Sequence, residues 1–155
     1  MPNSIWYFGR TAFTLAGMIK YDVSSLPQLE QVARNLLPKL EQGDVLFLNG
    51  DLGMGKTTFT QYLLKNAGVK EHIKSPTYTL FEQYSTKGYT YIHMDLYRLS
   101  DPEELYFIGI EDLINDDNIV LIEWPNKGDG VLPQADWQLT FESTGMNRTL
   151  TITSK

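Results

Sequence analysis

The chain has no cysteine and only two histidines, His72 and His93. Disulfides, thiolate metal sites and thiol nucleophiles are thereby excluded, and a multi-histidine zinc site within one chain has too few ligands. The lack of thiols is compatible with a reducing compartment, and the cytoplasm is the expected location. Basic charge is also scarce: 13 Lys and Arg stand against 19 Asp and Glu, a formal charge of −6. That balance disfavours direct phosphate-directed binding of nucleic acid, so any RNA connection should run through a partner. No run is long and apolar enough to span a membrane, and no membrane partner is expected.

What is present suits one domain with a sizeable core: 155 residues, 42% hydrophobic and 21% charged. The first segment, Met1 to Tyr21, lacks acidic residues and carries only Arg10 and Lys20. Its apolar run Thr11 to Ile19 is short and broken by two threonines, which argues against a targeting peptide. Residues 1–17 are read as a loosely ordered extension, and 18–155 as a single domain.

The strongest local signal is Gly50-Asp-Leu-Gly-Met-Gly-Lys-Thr57, a complete G-x-x-x-x-G-K-T phosphate-binding loop. Val45 to Leu48 just before it is a near-continuous apolar run, as a strand buried on both faces requires. After it, Phe59, Leu63, Leu64 and Ala67 fall on one helical face and Gly68 supplies a stop. Strand, glycine loop and helix therefore come in the order that lets backbone N–H groups close around phosphates. Lys56 is placed to reach the β- and γ-phosphates and the Thr57 hydroxyl to hold Mg²⁺. The loop residues Asp51, Leu52, Gly53, Met54, Gly55, Lys56, Thr57 and Thr58 are the expected nucleotide contacts.

Around this unit, Met18 to Val23 reads as a strand and Ser25-Leu-Pro-Gln28 as a capping box for a helix carrying Leu29, Val32, Ala33, Leu36, Leu37 and Leu40. Pro38 should end or strain its last turn, with Gly43 as the stop. Thr77 to Tyr84 and Tyr89 to Asp95 read as a hairpin, Asp101-Pro-Glu-Glu104 as the start of a further helix, and Ile119 to Ile122 as a second buried strand. Trp137 to Phe141 and Thr149 to Thr153 form a last strand pair. The sum is a three-layer α/β domain with a mixed, largely parallel central sheet.

Magnesium held by one hydroxyl and phosphates lacks ligands, and a carboxylate at a buried strand end is the usual complement. Two positions compete: Glu123, after four apolar residues, and Asp95, which could hold a metal-bound water or orient the attacking one. Thr77 lies in a proline-bearing connection some twenty residues after the lysine, where a switch threonine would sense the γ-phosphate and metal; ordinary turn chemistry is the equal alternative. His93 reads as a packed strand residue. Arg98 is the best internal candidate for an arginine finger, with a structural salt bridge as the favoured role. Nothing in the glycine loop reads adenine, and Ser25 and Arg148 are taken from the topology as flanking the base.

Taken together, Gly50 to Thr58, Ser75-Pro-Thr-Tyr-Thr-Leu80, His93-Met-Asp-Leu-Tyr-Arg98, Asp101-Pro-Glu-Glu104 and Glu123-Trp-Pro125 resemble the signature series of the bacterial TsaE family, also called YjeE. The resemblance runs from about Met18 almost to the C-terminus. It departs at Tyr78, where phenylalanine is usual, and at Asn126, where an acidic residue often follows. It implies a P-loop NTPase-like fold, with ATP and Mg²⁺ as cofactors. It also implies a hydrolysing subunit that binds a TsaB–TsaD heterodimer and serves threonylcarbamoylation of the adenosine beside the anticodon, in tRNAs reading codons that begin with A. Transfer RNA would be met only through that complex. By the same resemblance Lys56 is the phosphate lysine, Thr57 and Glu123 are metal-side residues, Asp95 is a second acid, Thr77 is the switch threonine, and Trp124 lies near the nucleotide or the partner. A small-molecule kinase and a non-catalytic ATP-dependent adaptor stand as the alternatives. The kinase is disfavoured by the lack of an arginine-rich lid insertion.

Overall fold

The computed structural model describes residues 13–15 and 17–154. Helix α1 (Leu26–Leu36) starts at its sequence-encoded cap: the Ser25 hydroxyl accepts the Gln28 N–H at 3.3 Å, and the Gln28 side-chain oxygen accepts the Ser25 N–H at 2.9 Å. Its stripe of Leu29, Val32, Ala33 and Leu36 is buried, and Pro38 turns its end into a 3-10 turn over Leu37–Lys39.

The strands are β1 (Phe13–Leu15), β2 (Met18–Asp22), β3 (Val45–Asn49), β4 (Phe81–Ser85), β5 (Thr90–Asp95), β6 (Asn118–Glu123), β7 (Trp137–Thr144) and β8 (Asn147–Ser154). They form one sheet in the order β1-β2-β8-β7-β3-β6-β5-β4. The four strands β7, β3, β6 and β5 run parallel, and every pairing outside them is antiparallel. Strand β3 thus lies inside the parallel core, and its period-2 alternation feeds two cores. Leu46 and Leu48 join Phe59, Leu63 and Leu64 of helix α2 (Lys56–Asn66) and the α1 stripe on one face. On the other, Val45 joins Ile92, Met94, Val120 and Ile122 beneath the single-turn helices α3 (Glu104–Phe107) and α4 (Ile110–Leu113). The three-layer expectation holds.

Three expected boundaries shift. The helix opened by Asp101 is two separate turns, because Gly109 sits at φ +75 between them. The strand expected from Thr77 begins at Phe81: Leu80 has φ +69 and donates its N–H to the Pro76 carbonyl at 3.0 Å, so residues 77–80 turn instead of extending. The last hairpin is longer than expected. It pairs Thr144 with Asn147 across a two-residue turn whose first residue is Gly145, at φ +62. The expectation of a loosely ordered extension over 1–17 falls mostly outside the described residues, although Phe13–Leu15 pair with β2.

Candidate functional site

The loop leaves β3 pressed against β7. Gly50 has φ +149, and a Cβ there would lie 2.7 Å from the Phe141 carbonyl oxygen, so no side chain fits without moving a strand. Gly50→Ala is expected to lower stability by about 1–3 kcal/mol, read from the denaturation midpoint; an unchanged midpoint would show that the loop can shift away from β7. At the other end Gly55, at φ +102, caps α2 with no side chain, which leaves the first-turn N–H groups available to an anion.

Parallel pairing brings the ends of three strands to one edge, with Leu48 opposite Glu123 and Asp95 opposite Glu123. Glu123 is buried, at 3% exposure, and the Thr57 hydroxyl lies 3.0 and 2.9 Å from its two carboxylate oxygens. Lys56 is buried: its ammonium donates to the Gly50 carbonyl and sits 3.8 Å over the Trp124 ring. Trp124, the residue after β6, itself takes a left-handed backbone at φ +57, and it packs against Tyr97 with ring centroids 5.0 Å apart. Burial pulls the Lys56 ammonium below its ordinary pKa, against Glu123, Asp95 and Asp51, which push it up.

Asp95 accepts the Tyr97 N–H at 3.0 Å on one oxygen and faces the Thr77 hydroxyl at 3.5 Å with the other. Thr77 is held in turn by Ser75 at 2.8 Å. Burial raises the Asp95 carboxyl above the ordinary carboxylate range. The Glu123 charge adds to this, and the Tyr97 N–H, His93 and Lys56 counter it.

Lys56, Thr57, Thr77, Asp95 and Glu123 meet in one cleft of about 620 Å³. Leu52, Gly53, Met54, Gly55 and Thr58 line it from the loop, and Ser25 and Arg148 line it as well. Asp51 is exposed and stands outside the lining. Among the described residues Arg98 makes no salt bridge; its guanidinium lies 4.6 Å over the exposed Tyr78 ring, and it lines the cleft. The residue that sequence reasoning missed is His93, whose Nε2 is 2.6 Å from Glu123 Oε2. Its position two residues before Asp95 on a strand, hence on the same face, was the available signal.

The oxygen donors are of the hard type that suits Mg²⁺: one hydroxyl and two carboxylates. Among the described residues no group of three or more His, Asp or Glu is arranged to hold a metal alone. The set therefore fits an ion that takes one or two protein oxygens and completes its shell from phosphate and water.

The family model for "Threonylcarbamoyl adenosine biosynthesis protein TsaE" matches residues 23–150. The chain is 55% identical over 96 residues to the tRNA threonylcarbamoyladenosine biosynthesis protein TsaE of Haemophilus influenzae, a match covering 62% of this chain and 61% of that protein. It is 31% identical over 127 residues to the Bacillus subtilis protein of the same name, covering 82% and 79%. The solved structure of Bacillus subtilis YdiB superimposes with a TM-score of 0.72 at 25% identity, over 94% of this chain and 88% of that one. No helix among the described residues is long and apolar enough to cross a membrane. With its phosphate loop, strand-end acids and matched span in agreement, the chain belongs to the TsaE family.

Proposed function

We propose that this protein is the Mg²⁺-dependent ATPase subunit that acts with TsaD and TsaB in threonylcarbamoylation of the adenosine beside the anticodon, in tRNAs reading codons that begin with A. The observation that carries the reading is the Thr57–Glu123 pair beside buried Lys56, at the mouth of a glycine loop that opens onto a helix start. Bound Mg²⁺ would be held by Thr57 and Glu123, and would neutralise charge developing on the transferred phosphoryl group. The loop N–H groups and Lys56 orient the β- and γ-phosphates. Asp95, with one oxygen fixed by the Tyr97 N–H, presents the other to Thr77 and to a water that it orients for attack. Trp124, with Tyr97 packed against its ring, covers Lys56, which strengthens its interaction with phosphate.

Arg98 lines the cleft but is engaged with Tyr78, and Arg148 lines it beside Ser24, so no described arginine is committed to the phosphoryl group. Hydrolysis by the chain alone should therefore be slow until a partner completes the site. Phosphate release from Mg-ATP, measured alone and with a matched TsaB–TsaD pair, tests this: stimulation of about tenfold or more is expected. No stimulation despite tight ATP binding would favour an adaptor or a kinase awaiting its acceptor.

A further inference from the structure

Resting on that reading of Glu123, we infer that His93 is the positioning residue that fixes the metal-side carboxylate. His93 is wholly buried on β5, and its Nε2 lies 2.6 Å from Glu123 Oε2. Its Nδ1 is buried and has no hydrogen-bond partner among the described residues. A proton on Nδ1 would be a donor with nothing to receive it, whereas a proton on Nε2 is donated to the carboxylate and leaves only an acceptor unmade. The ring therefore aims its N–H at Glu123 and at no other group.

This contact sets the carboxylate's rotation. Thr57 meets both Glu123 oxygens from the loop side, and the His93 contact comes from the neighbouring strand, on Oε2. A glutamate side chain has three rotatable bonds, and apolar neighbours on its own sheet face such as Leu48 and Leu121 offer it no polar anchor. Without His93, among the described residues only the Thr57 hydroxyl at the start of α2 would orient the carboxylate, and that hydroxyl is the group the metal itself would engage. Outer partners of this kind typically change metal affinity about 10–100-fold.

The imidazole also chooses its own test. A glutamine amide nitrogen reaches the Nε2 position, and an asparagine amide nitrogen the Nδ1 position. The Mg²⁺ concentration needed for half-maximal binding of AMPPNP would be measured for wild type, His93→Gln, His93→Asn and His93→Leu, alongside AMPPNP affinity in EDTA and thermal unfolding. Expected is an increase of about tenfold or more in the Mg²⁺ requirement for H93N and H93L. H93Q should stay within about threefold of wild type, and all variants should keep the wild-type affinity in EDTA. Equal behaviour of H93Q and H93N overturns the inference, whether both shift or neither does. That comparison stands even where H93L fails to fold, because the two amides are alike in polarity and differ only in reach. Wild-type protein that binds AMPPNP no better with Mg²⁺ than with EDTA overturns the reading of Glu123, and this inference with it.

Discussion

Lys56→Ala is expected to lower partner-stimulated phosphate release by about 10²–10³-fold, the usual effect of removing one preorganised donor from a developing anion. The same substitution should leave thermal stability at or above that of wild type. Burial lowers the ammonium's pKa even though Glu123, Asp95 and Asp51 all push it up. The unfolded chain thus holds the charged lysine more favourably than the folded one does, and its removal relieves that penalty. What keeps the ammonium in place is local: the Gly50 carbonyl and the Trp124 face. Steady-state phosphate release and a melting curve on the same preparation check both halves. A melting point several degrees lower would make Lys56 a structural strut. Retained hydrolysis would remove it from the phosphate site.

The contrast between legible and illegible parts of this molecule follows from what each signal encodes. The loop, β3 and α2 could be read because the motif, the apolar run and the helical stripe are local, and each satisfies its own backbone chemistry. Glu123 and Asp95 were placed correctly at strand ends, since an apolar run ending in an acid says where burial stops. Their mutual register, Asp95 opposite Glu123, was not encoded locally; it comes from parallel pairing of strands that lie far apart in sequence. The same pairing hid His93. Periodicity marks it as buried, but only the neighbouring strand supplies the carboxylate that gives the ring a purpose. Arg98 failed similarly: a surface arginine is expected to find an acid, and here the exposed Tyr78 ring occupies its reach. The split of the helix after Asp101 rests on Gly109 alone, whose positive φ breaks a run that the cap and proline only start.

Asp95→Asn is expected to reduce hydrolysis by about 10²-fold or more while stabilising the fold at neutral pH by about 1 kcal/mol. The amide keeps an oxygen for the Tyr97 N–H and offers an N–H toward Thr77, so geometry is conserved while the charge is lost. Burial first, and then Glu123, holds the Asp95 carboxyl's pKa above its unfolded value. The folded state therefore binds this proton more tightly than the unfolded state, and the ionised form destabilises the fold at every pH above the folded pKa. That penalty is relieved as pH falls through the folded pKa toward the ordinary carboxylate range. The stability advantage of Asp95→Asn should accordingly be present at pH 7 and shrink as the pH approaches about 4. Denaturant titrations of both proteins at the two pH values measure it, and an advantage that grows on acidification would contradict the assignment. The functional half separates an enzyme from an adaptor. If Asp95 orients the attacking water, the variant binds ATP and its partners yet fails to support tRNA modification. If nucleotide only sets a binding conformation, both complex formation and modification survive the loss of the acid.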